Sequence, residues 1–468
     1  MVCAFPMITI NSSLVPSDLM PAIRRLWEVS AGKILSIDAS EVPGSATPVF
    51  TVGGRYTAMG WTEWTQGFVY GSAILQFDAT GDGKFLEIGR ERTRTRMAHH
   101  ITHTGVHDHG FNNVSTYGNL LRLMAEGRIP NDPRERDFYE LALKCTGAVQ
   151  AARWSGTASG GGYIYSFNGP HSLFADTIRS LRALAVSHRL GHVLMGEKDL
   201  RISLLDRLIA HARTTADFAV FYGEGRDAYD LRGRVAHESI FNTNDGNFRC
   251  PNSQQGFSPF TTWTRGLAWI MLGYPEQLEW IATLPDQELE PFGGRAAVEA
   301  MLLRPARAAC DFYIAHTPTD GIPYWDTGAP ELHRIPDYLN RPAQIENDFE
   351  PVDSSAAAIA AQGLLRLGHY LMSTGAEDGH RYWQAGLTVA KTVLSEPYLS
   401  TDPNHQGLIL HSIYHRPNGW DHIPAGSKIP LGESSMWGDY HARELALFLQ
   451  RLANDQPYYT FFGGVGGN

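Results

Sequence analysis

Apolar residues recur at helical spacing along almost the whole of this chain, and strand-like alternation is scarce, which restricts the fold to packed helices. Phe174, Ile178, Leu181 and Ala185 trace one stripe; Leu205, Leu208, Ile209, Ala212, Ala216 and Ala219 trace another. Asp132-Pro133-Arg134-Glu135 reads as a helix start, with an acidic N-cap, proline at the first helical position and glutamate at the third. Helices are expected near 17–29, 67–78, 84–98, 114–127, 132–153, 172–190, 199–221, 261–273, 295–317, 354–373, 378–396 and 435–452, with a further short one at 275–284. Strand patterning is confined to 50–57 and 408–414. Tight turns such as Thr80-Gly81-Asp82-Gly83 alternate with long loops rich in Gly, Pro and aromatics, at 154–171, 223–260, 318–352 and 397–434. Loops that long inside a compact domain usually carry function. No linker or low-complexity tract divides the 468 residues. The expectation is a single all-α domain of paired helices with its long loops gathered at one end. A helix-pair solenoid would show a sequence period, and none is visible.

A net charge of −10 provides no basic field, so nucleic acid is not an expected partner. An anionic substrate would need local donors to attract it against that average. Cys3, Cys145, Cys250 and Cys310 are scattered without a CxxC pair, which argues against a cysteine-based zinc or redox motif and fits a reducing compartment. The opening Met1–Ile10 lacks a basic region and its apolar run is broken by Pro6. No signal peptide is expected, nor a membrane span, and the location expected is cytoplasmic.

Chemistry concentrates in the stretch from Arg96 to Phe111, where His99, His100, His103, His107 and His109 surround one carboxylate, Asp108. Two readings compete. His99, His103 and His107 are spaced to share a helical face, as metal ligands could, but Gly105 interrupts the stretch and no HExxH motif supports it. The alternative is that His107-Asp108-x-Gly110-Phe111 holds a catalytic carboxylate. Asp78-x-Thr80-x-Asp82-Gly83 lacks the glutamate of a calcium loop, since Gly89 stands at its twelfth position, and reads as a turn between helices. Asp176, in Leu173-Phe-Ala-Asp176-Thr-Ile, opens an amphipathic helix among apolar neighbours. Burial there would raise its pKa and suit a general acid; the plainer account is a helix N-terminal acid held by the dipole. Trp61, Trp64 and Phe68 precede one helix, and Trp263 and Trp269 flank Arg265 at another. Such faces stack on sugars, and Arg binds carboxylates in a fork, although core packing is the commoner use of tryptophan and suits Trp269 best. The loop 233–256 adds His237-Glu238 and Asn252-Ser-Gln254-Gln255, able to meet hydroxyls as donors or acceptors.

Taken in order, several segments resemble glycoside hydrolase family 88, the unsaturated glucuronyl hydrolases, with the unsaturated rhamnogalacturonyl hydrolases behind them. They are Trp64-Thr-Gln-Gly67-Phe68, the Thr80-Gly81-Asp82 turn, His107-Asp108-x-Gly110-Phe111 and Asp176-Thr177; then Thr262-Trp263-Thr-Arg265-Gly266-x-Ala268-Trp269, Asp353-Ser-Ser-Ala and Trp437-Gly438-Asp439-Tyr440. The resemblance implies an (α/α)6 barrel of helix hairpins over 60–452, with 1–59 packing on it and 453–468 as a tail. It implies no metal and no cofactor. The partner implied is an oligosaccharide bearing a 4,5-unsaturated uronic acid, and the protein is expected as monomer or dimer. The family chemistry hydrates a vinyl ether, with Asp176 as acid and then base and Asp108 as the second carboxylate. His107, His237, Gln255, Trp263, Arg265 and Trp269 match sugar-site positions, and Trp64 and Phe68 match an aromatic wall. His109, Gln254, the loop 156–171 and the histidines at 99, 100 and 103 depart from the common family pattern. Two other readings stay open: a same-fold hydrolase of saturated glucuronides or other glycosides, and a non-catalytic carbohydrate-binding barrel.

Overall fold

Helices pair in this chain because it can reverse sharply between them. Gly81 ends one helix with φ +74°, and Asp82 caps the next by accepting from Lys84 N at 3.0 Å. A computed structural model describes residues 8–40, 46–59 and 63–465. Cys3, Trp61 and most of the opening stretch on which a signal peptide was judged lie outside those residues.

Among the described residues, twelve helical units build the body. They are α1 (Met20–Ser40), α2 (Gln66–Thr80), α3 (Gly83–Arg96), the composite α4 (His109–Asn113, a π-turn Val114–Gly118, then Asn119–Ala125) and α5 (Pro133–Ala152). There follow the two-part α6 (Thr177–Ser180 and Arg182–Arg189), α7 (Leu204–Phe218), α8 (Thr264–Ile281) and α9 (Arg295–Ala315). The series ends with α10 (Ser354–Ser373), α11 (Gly379–Val393) and α12 (Met436–Ala453). The even-numbered helices pack side by side, α12 on α2, then α4, α6, α8 and α10, and α10 returns to α12. The odd-numbered helices lie outside them, which makes an (α/α)6 barrel. Sequence explains the sorting. Every residue of α8 is buried, and so are seventeen of the twenty in α10; α7 and α11 instead keep polar faces outward.

Alternation between rings makes all six inner helices run in one direction, so their N-termini share one end of the barrel. The loops 154–171, 223–260, 318–352 and 397–434 each lead from an outer helix to the next inner N-terminus and gather at that end. Inner helices approach closely enough to demand glycine: a Cβ on Gly110 of α4 would lie 2.2 Å from the Ser180 carbonyl oxygen of α6. On the barrel axis, Arg179 bonds Glu276 and Glu444, all three fully buried.

Several local expectations are corrected. The first helix runs on to Ser40. The helix expected at 172–190 opens as a strand, Ser172–Phe174, because that segment pairs with Glu238–Phe241, which in turn pairs with Phe248–Asn252. The short helix expected at 275–284 is part of α8, which passes through Pro275. The Met271 carbonyl that this proline cannot bond lies against Gly363, where a Cβ would come within 2.4 Å of it. Residues 50–57 form a hairpin, Pro48–Val52 with Arg55–Ala58, but 408–414 makes only single bridges at Ile409 and Leu410. Its backbone is held by a side chain instead: Asp439 accepts from Leu408 N and Ile409 N. No described helix is long and apolar enough to cross a membrane.

Candidate active site

The N-terminal end of the inner ring opens into a cavity of ≈ 520 Å³. Asp108 and Asp176 occupy the N-cap positions of α4 and α6, yet neither side chain makes a capping bond. Neither carboxylate is therefore occupied as a helix cap. Their carboxylates line the cavity together with His107. His107 Nε2 lies 3.6 Å from Asp176 Oδ1 and 3.7 Å from Asp108 Oδ1. Among the described residues, neither ring nitrogen of His107 has a hydrogen-bond partner, and Asp176 Oδ1 has none either. One oxygen from each carboxylate and a nitrogen of His107 fall within 4.8 Å of one another.

Burial and neighbours separate the two carboxyls. Burial pushes Asp108 up to about 6, opposed by His107 and assisted by the charge of Asp176. Burial would lift Asp176 as well, but His107 beside it holds its carboxyl below the ordinary carboxylate range. The raised acid in the resting site is therefore Asp108, contrary to the expectation for Asp176. The two carboxylates outweigh burial at His107 and raise its pKa.

The strand pairing brings in His237, because Ala175 N bonds the His237 carbonyl at 2.9 Å. Its Nδ1 accepts from Gln254 N at 3.0 Å and Gln255 N at 3.3 Å. The proton of the neutral ring therefore sits on Nε2, a buried donor with no protein partner. Burial lowers His237 to about 4 and keeps the ring neutral.

Arg265 lines the cavity but is not a free fork. Nη1 donates to Asp353 Oδ2 and the Ile413 carbonyl, and Nη2 donates to Gln255 Oε1 at 2.8 Å and the Tyr414 carbonyl at 2.7 Å. The guanidinium lies over the rings of Trp263 and Trp437, 4.6 and 4.8 Å from their centroids. It holds the Gln255 amide by its oxygen, which leaves the NH2 of that residue as donor. Trp64 stacks on Trp437 at 5.0 Å and lines the cavity; Trp263 also lines it, and Trp269 forms part of its floor. Phe68 does not reach the cavity. It is fully buried behind Trp64, against Phe111 and Tyr440.

Phe167, Phe174, Tyr414, His415, Asn418 and Trp420 complete the wall; the sequence marks Phe174 only as part of a helical stripe and Phe167 only within the loop 156–171, and the other four not at all. Phe167 stacks on His107 with its ring 6.1 Å away. Asp421 ties the backbone N–H groups of Tyr414 and His415 into place. The available signal was aromatic density in the two long loops. Of the histidines proposed as a shared metal face, His99 and His103 join no ion-holding group among the described residues. Their neighbour His100, buried, bonds Gln66 Oε1 at 2.6 Å and meets Asn112 at 3.3 Å. The described residues able to hold an ion are instead His107, Asp108 and Asp176, and His107 Nδ1 lacks the partner that normally orients a ligand imidazole.

No family model matches the chain. It is 26% identical over 444 residues to the unsaturated glucuronyl hydrolase of Bacillus sp. strain GL1, covering 91% of this chain and 97% of that protein. It is 24% identical over 397 residues to the unsaturated glucuronyl hydrolase of Formosa agariphila, covering 84% and 80%. Over most of its length the chain is similar to unsaturated glucuronyl hydrolases. Among solved structures, the unsaturated glucuronyl hydrolase of Bacillus sp. GL1 superimposes with a TM-score of 0.67 at 23% identity, over 91% of this chain and 96% of that one. That solved structure shares the fold described above.

Proposed function

We propose that this protein is a glycoside hydrolase that removes 4,5-unsaturated uronic acid from the non-reducing end of oligosaccharides made by polysaccharide lyases. One observation carries the reading: two buried carboxylates flank an imidazole in a cavity walled by aromatic rings, in a chain similar to unsaturated glucuronyl hydrolases. The N-termini of α2, α4, α6 and α8, at or just after the cavity-lining Trp64, Asp108, Asp176 and Trp263, turn positive dipole ends toward an anionic sugar. His237 Nε2–H and the Gln255 amide offer donors to its oxygens.

The trio supports a vinyl-ether hydration. Saccharide binding excludes water, which disfavours the Asp176–His107 ion pair relative to the neutral pair. The His107 proton passes to Asp176, which delivers it to C4 of the double bond. Positive charge develops at C5 and the ring oxygen. Asp176, again ionised, takes a proton from the water that adds at C5. The hemiketal opens to a ketone at C5, and the hemiacetal left at C1 releases the leaving sugar as an alcohol. One water is consumed and nothing is oxidised. Asp108 governs the step through His107: ionised, it retains the imidazolium proton; protonated, it lets that proton go.

The test is loss of the ultraviolet absorbance of the C4=C5 bond when the protein meets lyase-made disaccharides. Asp176→Asn should lose at least about a thousandfold in kcat, within the range of general acid–base contributions. Release from saturated aryl glucuronides with no effect on unsaturated disaccharides would overturn the reading in favour of ordinary hydrolysis. Binding without turnover, unchanged by Asp176→Asn, would mark a binding protein.

A further inference from the structure

Four histidines near the catalytic segment depart from the family pattern, and the structure separates their roles. His100 is engaged with Gln66 and Asn112 away from the cavity. His109 is buried, with Nε2 2.8 Å from the His103 carbonyl oxygen and Nδ1 2.5 Å from Thr146 Oγ1. A carbonyl can only accept, so Nε2 of His109 carries the proton and Nδ1 accepts from Thr146. The Thr146 hydroxyl can donate because its oxygen receives Asn113 Nδ2–H at 2.7 Å. The donor order is complete, from Asn113 to Thr146, to His109, to the backbone of His103. Burial lowers His109 to about 4, which keeps it neutral and able to accept.

That chain of bonds pins the one histidine of the group that reaches the cavity. His103 lines it beside Gly105 and Val106. Gly105 makes room, since a Cβ there would lie 2.9 Å from His103 Nε2. His103 Nδ1 is shielded by protein and has no partner. A shielded lone pair costs less than a shielded N–H without an acceptor, so Nε2 carries an N–H.

We infer that His103 is a further substrate-binding residue, its Nε2–H donating to an acceptor oxygen of the bound saccharide, and that buried His109 is the positioning residue that fixes it through its carbonyl. The inference rests on the saccharide reading of the cavity above.

The experiment measures KM and kcat on an unsaturated disaccharide, with Tm alongside, for wild type, His103→Leu, His103→Gln, His109→Leu and His109→Gln. His103→Leu should raise KM about five- to tenfold, the size of one neutral hydrogen bond, with kcat within about twofold of wild type. His103→Gln restores an amide donor and should recover most of the loss. His109→Leu should raise KM similarly, and His109→Gln, which can donate to the carbonyl and accept from Thr146, should recover it. A KM unmoved by His103→Leu overturns the contact. A fall in Tm on His109→Leu without any change in KM overturns the positioning role. Wild type inactive on every unsaturated disaccharide sinks the functional reading itself, and this inference with it; wild-type turnover with an indifferent His103 sinks the inference alone.

Discussion

Asp108 and Asp176 are 68 positions apart, yet each is the residue before an inner helix, so the same backbone geometry aims both at one cavity. Their identities were legible as acids at helix starts; their protonation was not. It depends on His107 lying 3.6 Å from Asp176 Oδ1, a distance set by two different helices. This yields a pH prediction. Asp108, lifted to about 6, is protonated below that value and ionised above it. Because ionised Asp108 retains the His107 proton, kcat/KM should fall as pH rises through about 6. Asp108→Asn, fixed in the uncharged state that lets the His107 proton go, should keep the rate wild type shows below that pH and abolish that limb. A pH–rate profile of the two proteins measures it, and an unchanged limb in the variant would assign the titration elsewhere. Arg265 makes the complementary point. An arginine between tryptophans invited a carboxylate fork, but its donors are taken by Asp353, Gln255 and two carbonyls. Lysine has no planar fork with which to meet that set. Arg265→Lys should raise KM by releasing Gln255, and should also lower Tm.

At the level of elements, the spacing of α4 and α6 sets the distance between the two carboxylates. Gly110 follows Asp108 closely, and the Ser180 carbonyl blocks any Cβ at that position. Gly110→Ala should cost about 1–3 kcal/mol in chemical denaturation and lower kcat more than it raises KM, because it forces Asp108 and Asp176 apart. The hairpin at 48–58 is joined to the last long loop by Glu433, which accepts from Thr51 Oγ1, Gly53 N and Gly54 N. These bonds, with His405 nearby, outweigh burial and hold the Glu433 carboxyl down to about 2. A depressed pKa stabilises the fold above the ordinary glutamate value and loses that contribution as pH falls toward 2. Glu433→Gln should therefore be less stable than wild type by about 1–3 kcal/mol at neutral pH, and the difference should vanish on acidification from about 4.5 to 2. Thermal unfolding across that range checks it. Periodicity revealed this barrel's helices because they bury a regular stripe, and caps such as Asp132 marked their starts. It failed at 172–174 and 408–414, where pairing with distant backbone or with Asp439 decides the conformation.

Across the whole molecule, the closed inner ring has an axis that must be filled, and charge fills part of it. Arg179 meets Glu276 and Glu444 in complete burial, and its guanidinium carbon lies 5.9 Å from the ring of Trp269 in the cavity floor. Arg179→Met would leave Glu276 and Glu444 with Arg182, 3.9 and 3.5 Å away, as their remaining arginine within 4 Å and should destabilise the barrel by about 3–5 kcal/mol, measured by denaturant unfolding; a neutral result would show that Arg182 compensates both carboxylates. Sequence by itself determined the helical class, the positions of most helices, the placing of long loops at one end and the two acids that open α4 and α6. Those features follow from local rules of periodicity, capping and turn formation. Only the tertiary structure decided that Phe68 is covered while Trp64 is not, that Arg265 is already occupied, that Tyr414 and Trp420 join the wall, and that Asp108 is the raised acid. Each of those depends on groups that meet across the closed ring from remote parts of the chain, and exposure, hydrogen-bond saturation and pKa are properties of that meeting.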